Sequence, residues 1–167
     1  MLRALTIENY VLIDHLEMEI DCSLNIITGQ TGAGKSILLG ALSLLLGAKN
    51  EGAALKDATR NCKVEGLFDL TGLGLEGLFE ELELDYEVET TITRLITPAG
   101  KSRSFVNDMP VQLATLKELG ARLIDIHSQH QNLVLADEAF RIKAVDALSA
   151  TTEMVKTYRT KYDALRA

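Results

Sequence analysis

The sequence predicts an α/β fold: a core sheet organised around a phosphate loop, an antiparallel β layer in front of it, and a helical C-terminal exit. Three observations carry this. The stretch IITGQTGAGKS, residues 26–36, breaks an apolar run with three glycines, a lysine and a serine. Two strand-like segments precede it, LRALTIENY and HLEMEID, the second alternating cleanly at Leu16, Met18 and Ile20. From Thr151 onward, apolar residues fall at Val155, Tyr158, Tyr162 and Leu165, a spacing that draws a heptad seam.

The bulk numbers narrow the class. A chain of 167 residues, 47% hydrophobic, fits one domain with a real core. The net charge of −7 argues against a surface coated in basic residues for nucleic acid, though not against a local basic patch. The two cysteines, Cys22 and Cys62, lack metal-type spacing and read as reduced thiols of an intracellular protein. Arg3 and Glu8 interrupt the start where a signal peptide would carry its apolar region. The longest apolar run, ILLGALSLLLGA, is shorter than the roughly 20 residues a bilayer requires. A cytoplasmic location without membrane contact is the expectation.

The elements follow in order. SLNIIT is expected as the third strand, leading into the loop, because it is apolar and β-branched. SILLGALSLLLGA is a strong helix former with apolar residues all round, so that helix is expected to be buried. KNEGAALKDATRN is polar loop, and CKVEGLFDL a strand. TGLGLEGLFEELELD is punctuated by glycine and then acidic, a solvated face. YEVETTITRLITPAG and KSRSFVNDMPV form a hairpin turning at Pro98-Ala99-Gly100. QLATLKELGARL is a helix presenting Leu113, Leu116 and Leu119. LIDIHSQHQ reads as a short buried strand running into a polar loop, and DEAFRIKAVDALS as a helix. The last segment, TTEMVKTYRTKYDALRA, has no glycine or proline. Its two heptads fit either an amphipathic helix on the core or the base of a coiled coil.

The chemistry lies in the glycine-rich stretch. Gly29, Gly34, Lys35 and Ser36 match G-x-x-x-x-G-K-[ST]. Glycines let the backbone turn and approach a ligand, and successive N–H groups then form an anion nest. A helix starting near Gly34 adds its positive end. The nucleotide-binding set is therefore Gly29, Gln30, Thr31, Gly32, Ala33, Gly34, Lys35, Ser36 and Ile37. Lys35 would reach the β- and γ-phosphates, and the Ser36 hydroxyl would ligate Mg²⁺. A chance glycine-rich turn is the competing reading; four matched positions and both flanks weigh against it.

Hydrolysis needs more than this loop. An acidic strand end must hold Mg²⁺, and a further group must position water. Asp137-Glu138 follows Ala136 in a stretch that reads as a helix start, where acids are expected for dipole reasons alone. No L-S-G-G-type signature is present. The chain alone is expected to show negligible turnover. Other constellations are weaker. His127 and His130 with Asp125 could hold a metal, but no fourth ligand is evident. Lys101 and Arg103 flank the hairpin turn and Arg94 lies on its first arm. They read as solvated charges or as contacts to DNA phosphates or nucleotide. Asp69-Leu70-Thr71-Gly72 and Thr160-Lys161-Tyr162-Asp163 imitate GTPase motifs. The second falls on a heptad-patterned helix, where guanine recognition needs a buried strand end.

Five segments, LTIENYVLIDHLEMEI, LNIITGQTGAGKSILLGALSLLLG, GKSRSFVNDMPV, LIDIHSQHQNLVL and AVDALSATTEMVKTYRTKYDALRA, follow in order from Leu5 to Ala167. Together they resemble the amino-terminal half of the ATPase head of the RecN family, bacterial DNA-repair proteins of the structural-maintenance-of-chromosomes (SMC) type. Gln30, Asp108 and Gln131 depart from that family's usual residues. The resemblance implies an ATP-binding-cassette type fold, divided at 1–150 as half of a head and 151–167 as the start of a coiled-coil arm. It implies ATP and Mg²⁺ as cofactors, with Gln129 contacting Mg²⁺ and the attacking water beside Lys35. It implies four partners: the remaining half of the head, a second head sandwiching ATP, DNA ends or single-stranded tails, and the repair recombinase. The implied function is double-strand-break repair and recombination in a nucleoid-associated protein. A small P-loop nucleotide kinase and a stand-alone nucleotide-gated dimerisation module are the alternatives.

Overall fold

A computed structural model describes residues 1–28, 34–49, 55–126, 145, 149 and 151–166 of the chain. These fall into two compact units, residues 1–126 and residues 127–167.

The first unit is built on one six-stranded sheet. Its strands are β1 (Leu2–Tyr10), β2 (Ile13–Glu19), β3 (Cys62–Asp69), β4 (Glu89–Ile96), β5 (Ser102–Val106) and β6 (Met109–Val111). They lie in the order β2-β1-β3-β4-β5-β6, and every neighbouring pair is antiparallel. Alternation selects the faces. Leu5 and Ile7 of β1 stand with Val64 and Phe68 of β3, Ile92 and Ile96 of β4, and Val106 of β5, all fully or almost fully buried. Helix α1 (Lys35–Leu45) covers this face through Ala41, Leu44 and Leu45. Helix α3 (Leu113–Leu123) adds Leu116 and Leu119, and the short α2 (Glu76–Glu81) adds Phe79. Burying a side chain such as Phe68 contributes about 2–3 kcal/mol.

Two glycines set how α1 sits. A Cβ on Gly40 would lie 2.8 Å from the Tyr10 hydroxyl, so the missing side chain lets the helix rest on Tyr10. Gly47 ends the helix with φ +89. Its amide bonds to Leu44 O, and the Ala48 amide to Ser43 O, which satisfies two terminal carbonyls in a Schellman arrangement. A Cβ there would also strike Lys117 at 2.6 Å, so α1 and α3 meet closely at this end.

Four expectations change. SLNIIT forms no strand: residues 24–28 pair with no described strand, and Leu24 and Ile26 are 79% and 76% exposed. An apolar β-branched run becomes a strand only beside a partner, and the described sheet ends at β2 and β6. Helix α1 is buried on one face only, and Leu39 is exposed. KSRSFVNDMPV is not one hairpin arm. It breaks at Asn107 and Asp108, both in the left-handed region, into β5 and β6. That conformation at both central residues makes the tight hairpin turn that matches strand twist. Ile124 is extended, but residues 124–126 of LIDIHSQHQ belong to no strand. The helix expected over DEAFRIKAVDALS lies outside the described residues apart from Val145 and Ser149.

In the second unit, α4 (Thr152–Arg166) is helical as its pattern requires. Tyr158 and Tyr162 stack at 5.9 Å between centroids, and Met154, Tyr158 and Leu165 are exposed.

Candidate nucleotide site

The described part of the site is the start of α1. Gly34 is its N-cap and Lys35 its first residue; Gly34, Lys35 and Ser36 are all exposed, and Ile37 is half-buried. No side chain caps this end, and the first turn carries no acidic residue. Helix starts ordinarily satisfy their first amides with a Ser, Thr, Asp or Asn cap. Here no side-chain cap bonds to those amides, and Lys35 and Ser36 stand in the same exposed first turn. A Cβ built on Gly34 would meet no described residue within 4 Å. This donor set fits a triphosphate accompanied by Mg²⁺. Gly29, Gln30, Thr31, Gly32 and Ala33 lie outside the described residues, as do Gln129, His127 and His130. Among the described residues no cluster of three metal-ligating side chains occurs.

A structural support of this region was not read from the sequence. Asn9 is fully buried with φ +53. Its Nδ2 donates to Asp57 O and Arg60 O at 2.9 Å each, and the Asp57 amide donates to its Oδ1 at 2.7 Å. One side chain at the end of β1 thus holds the return from α1 into β3, helped by a bridge between Tyr10 and Leu55. A polar residue ending an otherwise alternating apolar strand was the available signal. Asp57 in turn accepts from the Thr59 hydroxyl and amide, which hold its carboxylate below the usual range.

The GTPase imitation dissolves. Asp69 accepts from the Thr71 amide at 2.9 Å and from Arg3 Nε at 3.2 Å. Thr71 and Arg3 hold its carboxylate well below the ordinary range. It closes the end of β3 against β1. Thr160 and Lys161 lie on α4, not at a strand end.

The three basic candidates separate. Lys101 and Arg103 are exposed beside the turn, where Gly100 has φ +75 and its amide bonds to Thr97 O. Arg94 is not a solvated charge. Position 94 falls on the core face of β4 between Ile92 and Ile96, and the residue is 3% exposed. Cys62 is buried too, and burial, with Glu8 nearby, pushes its thiol up to about 11.

The fold and the helix start define an α/β ATPase-type domain, and the chain belongs to the AAA domain family, whose profile matches residues 4–121. The DNA repair protein RecN of Vibrio cholerae serotype O1 is 34% identical over 163 residues, 97% of this chain and 29% of that protein. The chain thus spans well under half the length of the curated relative it matches. Two solved structures are similar in fold. One is a chain from work on the ATP-driven dimerisation and DNA-stimulated activation of SMC ATPases. It matches at TM-score 0.55 and 18% identity, over 86% of this chain and 90% of that one. The other is an Smc head bound to the C-terminal winged-helix domain of ScpA, at TM-score 0.58 and 18% identity, over 80% of this chain and 44% of that one. The fold is therefore that of the ABC/SMC-type head, and all of its described strands belong to the antiparallel layer. The sequence similarity is to the amino-terminal part of RecN-type ATPase heads.

Proposed function

We propose that this chain is the ATP-binding half of an SMC-like ATPase head that acts in DNA double-strand-break repair and recombination. The observation that carries the reading is the uncapped, acid-free start of α1 at Lys35 and Ser36, inside a chain similar along 97% of its length to a DNA repair protein. The loop from Gly29 to Ile37 binds the phosphates of ATP. Lys35 holds the β- and γ-phosphate charge, and Ser36 and Gln129 hold Mg²⁺, which draws charge from the phosphates when bound. Residues 1–150 form the head half and residues 151–167 begin a coiled-coil arm, a reading supported by the exposed seam residues of α4.

The partners follow from what is unpaired. Leu24 and Ile26 present an apolar edge that the remaining half of the head covers. A second head then closes on ATP, and the assembly works on DNA ends or single-stranded tails with the repair recombinase. Among the described residues no helix is long and apolar enough to cross a membrane. The protein works in the cytoplasm at the nucleoid.

Titration with ATP–Mg²⁺ tests the core of this reading. Lys35→Ala is expected to abolish nucleotide binding while leaving the thermal melting curve of the chain in place. Unchanged affinity in that variant would sink the loop assignment.

A further inference from the structure

The described residues contain a second basic site, remote in sequence from the phosphate loop. A cleft of about 690 Å³ opens where β6 stops short along β5 and α3 begins. Arg94, Ser102, Arg103, Ser104, Gln112 and Leu113 contribute to its lining. Arg94 lies almost wholly out of solvent, and its Nη1 donates to Ser104 Oγ at 2.6 Å. Its Nε is buried with no hydrogen-bond partner, and Nη2 bonds to no described residue. No carboxylate among the described residues pairs with it. An arginine cannot shed its charge, so a guanidinium removed from water without an anion is costly.

A second feature faces the same cleft. Helix α3 starts at Leu113 behind Gln112, whose side chain makes no capping bond, and its first turn carries no acid. The Leu116 amide is the first to bond within the helix, to Gln112 O, and the amides before it bond to no described residue. The donors here are a planar fork, serine hydroxyls and helix-terminal amides. They outnumber what the two oxygens of a carboxylate can accept and match a tetrahedral oxyanion. The cleft is also larger than a single phosphate, so it leaves room for what the phosphate is attached to. Arg103 and Lys101, exposed along the adjoining hairpin, continue the positive charge outward.

We infer that the cleft between Arg94 and the start of α3 is a phosphate-binding site, separate from the nucleotide loop, that takes a phosphate of a nucleic-acid backbone or of a free polyphosphate. The Arg94 fork engages two phosphate oxygens, Ser102 and the first amides of α3 engage the others, and Arg103 meets charge outside.

The test uses the 167-residue chain carrying Lys35→Ala, so that failure here and failure of the nucleotide-loop reading are told apart. One arm follows anisotropy of a labelled oligothymidine. The other follows the ³¹P resonances of inorganic pyrophosphate. Ser102 is exposed, so Ser102→Asp places a carboxylate in the cleft without disturbing the core; Arg94→Lys keeps the charge and removes the fork. Binding in at least one arm is expected, weakened about tenfold or more by either substitution, the low end for hydrogen bonds to a charged group. Loss in the first arm alone assigns the nucleic-acid backbone, and loss in the second alone a free polyphosphate. Absence of binding in both arms, or binding indifferent to Ser102→Asp, overturns the site.

Discussion

The antiparallel sheet and the segment leading into the phosphate loop are both apolar and β-branched, yet they behave oppositely. In the sheet, β1, β3, β4 and β5 each have neighbours on both sides, and their inward residues are sealed by three helices. In the segment from Leu24 to Thr28 the same residue types stand in solvent beside no described strand. Helix α1 joins the two, buried through Ala41, Leu44 and Leu45 and bare at Gly34 to Ser36. Stability therefore resides in the β layer, and the proposed nucleotide site lies at its margin, at the exposed start of α1.

Substitutions can break or sharpen that contrast. Phe68→Ala, in the middle of the core, is expected to cost about 3–5 kcal/mol in urea unfolding, the range for large-to-small core changes. A cost under 1 kcal/mol would show that the sheet is not the seat of stability. Asn9→Ala leaves the carbonyls of Asp57 and Arg60 and the amide of Asp57 without their bonds, at a cost of about 2 kcal/mol. Faster tryptic cleavage after Arg60 is expected with it.

Cys62 gives a pH-dependent version. Its proton is held more tightly in the folded chain, so its contribution to stability is complete below about pH 8.5 and fades as pH climbs towards about 11. Alkaline melting curves should show that decline lessened by Cys62→Ala, and a thiol reagent at pH 8 should label Cys22 and leave Cys62. The smallest effect belongs to the other region. Ile26→Asp should move the stability of the isolated chain by less than about 0.5 kcal/mol, as for ordinary surface changes. It should still prevent co-purification with the carboxy-terminal part of the head. A large stability loss from Ile26→Asp would erase the contrast.

Legibility followed the same division. Strands β1 to β4 were readable because strict alternation reports a half-buried ribbon regardless of its neighbours. The glycine, lysine and serine of the loop stand out because phosphate chemistry demands those types at that spacing, and Gly34, Lys35 and Ser36 do fall at the exposed start of α1. SLNIIT misled because composition reports willingness to pair, while pairing depends on a neighbour. Arg94 was grouped with Lys101 and Arg103 by charge, although counting along β4 from Ile92 places it inward. The Asn107-Asp108 turn was overlooked inside a run that looked continuous. Asp108 sits there without strain worth noting, since short polar side chains tolerate the left-handed region. Asn9 was hidden because its partners are main-chain groups some fifty positions away, which carry no side-chain signature.

The arrest of α1 at Gly47 has a mechanical consequence. The helix is gripped at its C-terminal end by the Schellman bonds and by Lys117 of α3, while its opposite end is held by no cap. That grip, with Ile37, Leu38 and Ala41 packed on the core and Gly40 on Tyr10, holds the eleven-residue helix, about 16 Å long, against tilting, so that only Gly34 to Ser36 stand clear of the core.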